Sequence, residues 1–230
     1  MSDRRLTEGD LLRWSEALAA VARTGLGFTQ NLYERERFAE VLSIAAEIRA
    51  ATNWSPHHNV VGEWMKTVGD GVAGYVTPKS TIGAIVTDDE GRLLLVQRSD
   101  SGVWLYPTGW ADVGYSPAEV AVKEVKEETG IDCEVVRLVA VFDGLRRGFT
   151  RIPMYSLVFL CRAVGGSIKP HPLECHDAGF FAEDALPEPL AGGAGWLPYA
   201  FGAIRGDIIE TVFDEPRSPV WFGSEGLGHE

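Results

Sequence analysis

The chain has 230 residues, of which 45% are hydrophobic, and it carries a formal net charge of −12 at pH 7. This apolar content suffices for a buried core, and the length fits one large domain or a domain with an appendage. The acidic balance argues against binding to long nucleic acid or to an anionic membrane, because either needs clustered lysine and arginine. A small anionic substrate would need its charge met by a metal ion.

The cysteines and the first residues bear on the cellular compartment. Cys133, Cys161 and Cys175 are odd in number and lack Cys-x-x-Cys spacing, which disfavours a disulfide framework or a zinc site. The first ten residues have no apolar signal core, and no run approaches the roughly 18 apolar residues of a membrane-spanning helix. We therefore expect a cytoplasmic protein with reduced thiols and no membrane partner.

Residues 1–68 are predicted to form a small helical domain. The first helix begins at Thr7 and closes at Gly25 and Gly27, and later helices begin at Asn31 and at Ser55–Pro56. Amphipathic helices in this number cannot bury both faces alone, so they must pack on the rest of the chain or on a second copy. We favour a dimerisation domain, and hence a homodimer, over a domain that supports the substrate site. The apolar positions at helical spacing are Leu11, Trp14, Leu18 and Val21, then Phe38, Val41, Leu42, Ala45 and Ile48, and finally Val60, Val61, Trp64 and Met65.

Residues 69–230 are predicted to form a second domain, which begins with the turn-rich stretch 69–78. The fold class is α+β with a mixed sheet, because strands alternate with one inserted helix. Gly195–Phe213 is expected to be a further helix, followed by Trp221 and Phe222, which we expect to dock on another surface. The predicted strands are Ile82–Val86, Arg92–Gln97, Glu134–Phe142 and Pro153–Ala163.

The inserted helix has strong start and stop signals. Ser116 and Glu119 stand at capping-box spacing, Pro117 fits the first helical position, and Gly130 suits the C-terminal cap. At about 100° per residue, one arc of this helix is apolar and the neighbouring arc is acidic. The apolar arc contains Ala118, Ala121, Val122, Val125 and Thr129, and the acidic arc contains Glu124, Glu127 and Glu128.

The acidic arc is a candidate metal site. Like charges at these spacings destabilise a helix unless a cation lies against them, and carboxylate oxygens suit Mg²⁺ or Mn²⁺. For an acidic trio on its own, a solvated acidic face is the more common explanation. The same alternative applies to His57 and His58, for which a capping or solvated role is favoured over metal binding.

The stretch from Gly109 to Ile131 resembles the signature of the Nudix hydrolases, which is glycine, five residues, Glu, seven residues, then Arg-Glu-apolar-x-Glu-Glu-x-Gly-apolar. The resemblance covers roughly residues 70–190 and implies an α/β/α sandwich with a mixed sheet. It also implies that Glu124, Glu127 and Glu128 bind the metal ion, with the backbone carbonyl of Gly109 as a further ligand. The matching positions are Gly109, Glu124, Val125, Glu127, Glu128, Gly130 and Ile131.

Two positions depart from the signature, because Tyr115 replaces its first Glu and Lys123 replaces its Arg. Tyr115 precedes the N-cap and has the spacing of a hydrophobic staple with Val120. Lys123 is four residues from both Glu119 and Glu127 and can offset either charge, although it cannot form the bidentate pair of an arginine. Our hypothesis is a coupled exchange of a supporting pair that leaves the metal-facing carboxylates intact.

A second resemblance narrows the substrate class. The stretch Trp14–Ala51 and the motif Gly109–Gly114 are similar to bacterial Nudix enzymes of the CDP-choline and ADP-ribose pyrophosphatase type, which carry an N-terminal helical extension. The resemblance implies hydrolysis of a nucleoside diphosphate linked to another group, giving a nucleoside monophosphate and a phosphorylated product. The alternative is a catalytically weakened sensor that binds such a metabolite, which the altered Tyr115 and Lys123 would suit.

Further site residues are assigned with an alternative for each. Either a carboxylate such as Glu127 or Glu128, or a metal-bound hydroxide, must accept the proton of the attacking water. The resemblance to ADP-ribose-type enzymes implies a Glu on a loop after the signature, for which Glu174 is the candidate and Asp177 the second, with a solvated loop acid as the alternative for both. Arg98 and Arg151 are candidates for binding phosphate, or for surface ion pairs. Trp104, Tyr155 and Phe149 are candidates for stacking on a base, with core packing as the alternative.

Overall fold

The structure, a computed structural model, describes residues 6–52, 57–66, 76–112 and 114–216. Three helices come first, α1 (Glu8–Phe28), α2 (Leu32–Ala50) and α3 (His57–Met65), and a sheet with two further helices follows. The later elements are β1 (Lys79–Thr87), β2 (Leu93–Arg98), β3 (Trp104–Leu105), β4 (Thr108–Trp110), α4 (Pro117–Thr129), β5 (Ile131–Asp143), β6 (Met154–Gly166), β7 (Cys175–Phe181), α5 (Leu197–Arg205) and β8 (Val212–Phe213).

The strands form one mixed sheet in the order β3-β2-β1-β6-β5-β8, with β4 paired to β1 and β7 paired to β2. The pairs β1·β6 and β5·β8 are parallel, and the other pairs are antiparallel. All four predicted strands are present, with ends displaced by up to three residues. The short strands β3, β4 and β8 were not predicted, because two or three residues show no periodicity.

Each face of the sheet is covered by one helix. On one face, Val120, Ala121 and Val125 of α4 pack on apolar side chains of β1, β2, β5 and β6. On the other face, Ala200 and Phe201 of α5 pack on side chains that include those of β5 and β6. The protein is therefore an α/β/α sandwich with a mixed sheet, preceded by a helical region, which confirms the predicted fold class.

Helix α1 begins at the predicted capping box, in which Thr7 and Asp10 bond to each other's backbone N–H group. It does not close at Gly25 and Gly27 but continues to Phe28. A β-carbon at Gly25 would lie within 2.5 Å of the Phe38 ring of α2, so this glycine permits close packing of two helices instead of ending one.

The apolar side chains that predicted α1 do not face its core. Trp14, Leu18 and Val21 are exposed, and Leu11 is half-buried. The buried side of the helix instead consists of small, polar and a few apolar residues, because α1 packs closely against α2. The buried residues are Asp10, Leu12, Ser15, Glu16, Ala19, Ala22, Arg23 and Leu26.

A buried ionic cluster joins the helical region to the sheet. The carboxylate of Glu16 forms an ion pair with Arg49, and Arg23 Nη2 lies 4.0 Å from Glu16 Oε2. Both guanidinium groups lie 5.8 Å from the ring centroid of Trp64. Arg49 Nη2 also donates a hydrogen bond of 2.7 Å to the backbone oxygen of Arg151, in the loop between β5 and β6. The same guanidinium therefore satisfies partners in both parts of the protein.

The prediction of one helix over Gly195–Phe213 is wrong. Helix α5 ends at Arg205, because Gly206 adopts a left-handed conformation with φ of 80° and caps it. The chain then folds back so that Ile208 packs on Gly202, and Val212–Phe213 forms a strand parallel to β5. The regular spacing of Ile204, Ile208 and Val212 thus reflects two different elements that pack on the same layer.

Several predictions concern residues outside the described ranges. These are the helix start at Ser55–Pro56, residues 69–75 of the turn-rich stretch, and the docking of Trp221 and Phe222; the side chains of His57 and His58 are likewise outside them. Within the described ranges, no helix combines the length and apolar character needed to cross a membrane.

Candidate active site

Both ends of α4 are fixed by hydrogen bonds. Ser116 and Glu119 form the predicted capping box, and Gly130 ends the helix with φ of 77°. Beyond this end, the backbone N–H groups of Lys169 and His171 donate to the carbonyls of Thr129 and Glu128, at 2.8 and 3.1 Å. The loop between β6 and β7 therefore caps the C-terminal carbonyls of α4.

Glu128 is the buried carboxylate of the site. Its side chain is 2% exposed, and Oε2 accepts a hydrogen bond of 3.0 Å from the backbone N–H of Thr108. Burial raises the pKa of Glu128 to about 7, and the charges of Glu124 and Glu174 act in the same direction. The Thr108 N–H and Arg98, whose Nη1 lies 3.9 Å from Oε1, oppose this shift. A cation beside Glu128 would offset the repulsion among these carboxylates.

Glu124 lies directly against the glycine that opens the signature. A β-carbon at Gly109 would lie 2.2–2.4 Å from the carboxylate atoms of Glu124, so only glycine leaves room for this side chain. Burial raises the pKa of Glu124, and the negative charges of Glu127, Glu174 and Asp112 raise it further, against the opposing charge of Lys123. The backbone at residue 109 and the carboxylate of Glu124 are thus neighbours.

Glu127 is half-exposed and is held by a lysine. Its Oε2 accepts a hydrogen bond of 2.8 Å from Nζ of Lys123, which also lies 3.1 Å from Oδ2 of Asp112. Of the two glutamates within reach of Lys123 in sequence, Glu127 is therefore its partner, and Glu119 serves the capping box. Asp112 was not among the predicted site residues. A carboxylate inside the glycine-rich loop was the only sequence signal for it.

Glu174 lies near the same site, in the loop between β6 and β7. Its charge raises the pKa of both Glu124 and Glu128. Its backbone oxygen accepts a hydrogen bond of 2.9 Å from the N–H of Ser99, which fixes the loop to the end of β2. Asp177, the second candidate, accepts a hydrogen bond from the N–H of Ala178.

The oxygen atoms of this site are of the kind that binds a divalent metal ion, but the side chains are not grouped around a common point. Glu124, Glu127 and Glu128 offer carboxylate oxygens, with the backbone of Gly109 beside them, and hard cations prefer such oxygen ligands. In the part of the chain that the structure describes, no three His, Cys, Asp or Glu side chains are grouped closely enough to hold a metal ion. Lys123 occupies Oε2 of Glu127, so Oε1 is the oxygen of this carboxylate that a cation could use once the carboxylates draw closer together.

Of the residues predicted to bind phosphate or base, some lie in the site and others do not. Arg98 is in the site, between Glu128 and Asp100. It donates two hydrogen bonds to Asp100, and its Nη1 lies 3.9 Å from Oε1 of Glu128. Arg151 forms an ion pair of 2.5 Å with Glu8 of α1, which agrees with the ion-pair alternative. Trp104 is buried and stacks edge-on with Phe181, which agrees with core packing.

Two aromatic candidates for base stacking remain open to solvent. Tyr155 is 46% exposed and lies at the start of β6, opposite Ser80 of β1. Phe149 is 37% exposed and packs edge-on against Phe142. Tyr115 is 53% exposed, so a staple with the buried Val120 would shield only part of its ring. The roles of all three stay predictions.

The raised pKa of Glu128 predicts a pH-dependent stability of the metal-free protein. Because the folded pKa of about 7 exceeds the ordinary value of 4.5, the folded state holds a proton that the unfolded state loses, and the unfolding free energy falls as pH rises from 4.5 to 7. Glu128→Gln should remove this loss of stability, which amounts to roughly 3 kcal/mol above pH 7 because each pKa unit corresponds to about 1.4 kcal/mol. The unfolding free energy, measured by chemical denaturation in EDTA, should therefore exceed the wild-type value by more at pH 8 than at pH 4.5 for the Glu128→Gln variant. An equal difference at both pH values would contradict the assignment.

Comparison with protein-family models and known proteins bears directly on this geometry. The model of the NUDIX domain matches residues 77–198, which is more than half of the chain and contains the whole site. The chain belongs to the Nudix family. A second model, described as a UDP-X-like, N-terminal oligomerisation domain, matches residues 9–61 of this Nudix protein.

Individual relatives of the Nudix protein cover most of its length. It is 33% identical over 208 residues to the putative ADP-ribose pyrophosphatase YjhB of Bacillus subtilis (strain 168). This match covers 88% of this chain and 96% of YjhB. The crystal structure of a UDP-X diphosphatase is 28% identical, with a TM-score of 0.55 over 91% of this chain and all of the other. An ADP-ribose pyrophosphatase from Streptococcus suis 89-1591 is 38% identical, with a TM-score of 0.51 over 60% of this chain and all of the other.

Proposed function

We propose that this Nudix protein hydrolyses the diphosphate bond of a nucleoside diphosphate linked to another group. The products would be a nucleoside monophosphate and a second phosphorylated compound. The observation that carries the proposal is that α4 sets the buried carboxylate of Glu128 against the Thr108 N–H and the carboxylate of Glu124 against Gly109, both beside β4. Membership of the family and the activity named for its relatives support the same reaction.

The proposed cofactor is Mg²⁺ or Mn²⁺, held by Glu124, Glu127 and Glu128 with the carbonyl of Gly109 as a further ligand. When bound, such an ion neutralises charge on the diphosphate and lowers the pKa of a coordinated water. Proteins of this family generally use divalent ions, which supports the assignment. The choice between the two metals is part of the proposal.

The protein side chains are assigned separate roles in the reaction. Glu174 is the first candidate for accepting the proton of the attacking water, because it lies near the acidic cluster in a loop that is fixed to α4. Glu127 and Glu128 are further candidates, because both are carboxylates of the same site. Arg98 is assigned to bind a phosphate oxygen, in exchange for its contact with Asp100.

The proposed substrate is ADP-ribose or a related compound. The B. subtilis and S. suis relatives are named for ADP-ribose, whereas the relative with the more complete structural match is named for UDP-X. CDP-choline belongs in the same comparison, on the strength of the sequence resemblance. All three have a diphosphate between a nucleoside and a second group, so the site described above suits each of them.

The test is a substrate panel with the full-length protein. ADP-ribose, UDP-glucose and CDP-choline are each incubated with Mg²⁺, with Mn²⁺ or with EDTA, and the nucleoside monophosphate is quantified. We expect metal-dependent release of the monophosphate from ADP-ribose and weaker release from the others. If every substrate remains intact while ADP-ribose still binds in calorimetry, the sensor hypothesis would replace the enzymatic one.

We further propose that the protein is a homodimer whose interface includes the exposed stripe of α1, formed by Trp14, Leu18 and Val21. The family model of an N-terminal oligomerisation domain over residues 9–61 supports a second copy as the occupant. Large exposed apolar side chains in one row are typical of such a surface. Leu18→Asp should yield monomers in sedimentation velocity, whereas Val164→Asp, at a similarly exposed site on β6, should remain dimeric. A dimeric Leu18→Asp protein would contradict this surface.

A further inference from the structure

The ammonium group of Lys123 lies between two carboxylates from different elements. Asp112 approaches it from the loop between β4 and α4, at 3.1 Å from Oδ2, and Glu127 approaches from the next turn of α4, at 2.8 Å from Oε2. Hydrogen bonds to Glu127 and then to Asp112 raise the pKa of Lys123 above its ordinary value. The three side chains thus form a continuous chain from the glycine loop to the acidic arc of the helix.

The contact with Lys123 engages only one oxygen of Glu127. Oε2 accepts the hydrogen bond, and Oε1 has no hydrogen-bond partner in the part of the protein that the structure describes. A lysine contacts a carboxylate as a point charge, whereas an arginine at this position would be able to occupy both oxygens. Lys123 therefore restrains the orientation of the Glu127 carboxylate and leaves Oε1 for a cation.

The pair of Lys123 and Glu127 is weak on its own. Both side chains are partly exposed, and lysine placed four residues before glutamate is the less favourable order on a helix. The flexible stem of lysine also loses rotamer entropy when it is held in one position. The second carboxylate, from Asp112, offsets this loss by fixing the ammonium from the other side. Without Asp112, the position of Glu127 would be poorly restrained.

We propose that Asp112 is a positioning residue, which holds Lys123 so that Glu127 presents Oε1 to the metal ion. The inference rests on the proposed function for the identity of the metal site. It also accounts for the tyrosine at position 115. The negative charge that supports Lys123 comes from residue 112, three positions earlier in the loop, and Tyr115 is left half-exposed to solvent.

The test measures metal binding without turnover. Mn²⁺ is titrated into wild-type protein, Asp112→Asn and Asp112→Glu, and free Mn²⁺ is followed by electron paramagnetic resonance. We expect Asp112→Asn to raise the dissociation constant about three- to ten-fold, below the range typical of buried supporting residues, because this site is exposed. Asp112→Glu should restore part of the affinity. In a Lys123→Met background, Asp112→Asn should have no further effect, because Asp112 acts through Lys123.

A matched control lies on the same helix. Lys126 forms an ion pair of 2.7 Å with Asp132, and both side chains are 52% exposed. Asp132→Asn removes an equivalent aspartate–lysine pair that does not contact Glu127, so its Mn²⁺ affinity should equal that of the wild-type protein. Equal melting temperatures of the two asparagine variants would exclude a general loss of structure.

The possible outcomes separate this inference from the proposed function. Unchanged or tighter Mn²⁺ binding by Asp112→Asn would overturn the inference, and tighter binding would mean that Lys123 competes with the metal. Absence of Mn²⁺ binding by the wild-type protein would also overturn it. If Mn²⁺ binding weakens as expected but no nucleoside diphosphate is hydrolysed by any variant, the inference stands and the proposed reaction fails.

Discussion

Glu127→Gln is expected to lower turnover of the best substrate about 10³-fold, because metal-ion catalysis supplies several kcal/mol and each 1.4 kcal/mol corresponds to a factor of ten. Glutamine keeps the shape of the side chain and one oxygen that Lys123 can contact, but it removes the negative charge that a cation needs. Steady-state kinetics at saturating Mg²⁺ should show the loss mainly in kcat.

Glu119→Gln is the matched control for this substitution. Glu119 lies on the same helix and belongs to the capping box, in which glutamine is an accepted replacement. Its turnover should stay within a factor of about two of the wild-type value, since the capping geometry is kept. If Glu127→Gln retained wild-type turnover, Glu127 would have no role in metal binding, and the assignment of the acidic arc would need revision.

Glu16→Ala is expected to give the largest loss of stability. Glu16 is buried between Arg49 and Arg23, and its removal leaves two buried guanidinium groups without their carboxylate. Breaking a buried ion pair by removing one partner costs roughly 3–5 kcal/mol. Burial already lowers the pKa of Arg49 to about 10, and the charge of Arg151 contributes to this shift. Urea denaturation should show the decrease in unfolding free energy.

An exposed ion pair in the same helical region provides the control. Glu63 and Lys66 of the α3 segment are 2.5 Å apart with side chains 70% exposed, so Glu63→Ala should change the unfolding free energy by less than about 1 kcal/mol. If Glu16→Ala cannot be purified in a folded form, Glu16→Gln keeps most of the volume and tests the charge alone. An unfolding free energy equal to that of the wild-type protein would contradict the proposed importance of the cluster.

The sequence predicted helix α4 and its acidic face because local signals agree there. The capping box at Ser116, the glycine after Thr129 and the spacing of the three glutamates are all short-range features, and the structure retains each of them. The α1 prediction shows the limit of such reasoning. Its apolar stripe correctly indicated a helix, but the inward face is the one with alanines, serine and a buried ionic cluster.

The features that were not predictable depend on contacts between distant residues. The partner of Arg49 is a backbone carbonyl 102 residues away, and the supporting acid of Lys123 lies in a loop of irregular structure. The break between α5 and β8 was hidden because Ile208 packs back onto Gly202, which keeps an apolar spacing across a change of element. The first two contacts leave no periodic pattern in the sequence, and the third leaves a pattern that continues across the end of the helix.

The hydrogen bonds between α4 and the loop after β6 have a consequence for how substrate preference can change. Because Lys169 and His171 are bonded to the last carbonyls of α4, inserting or deleting residues here would displace Glu174 relative to Glu128. This loop is thus unsuited to variation in length. New substrate specificities, in natural relatives or in engineered variants, should arise instead from segments that carry no such bond to the helix. The loop between β5 and β6, with Phe149, is the first place to introduce diversity.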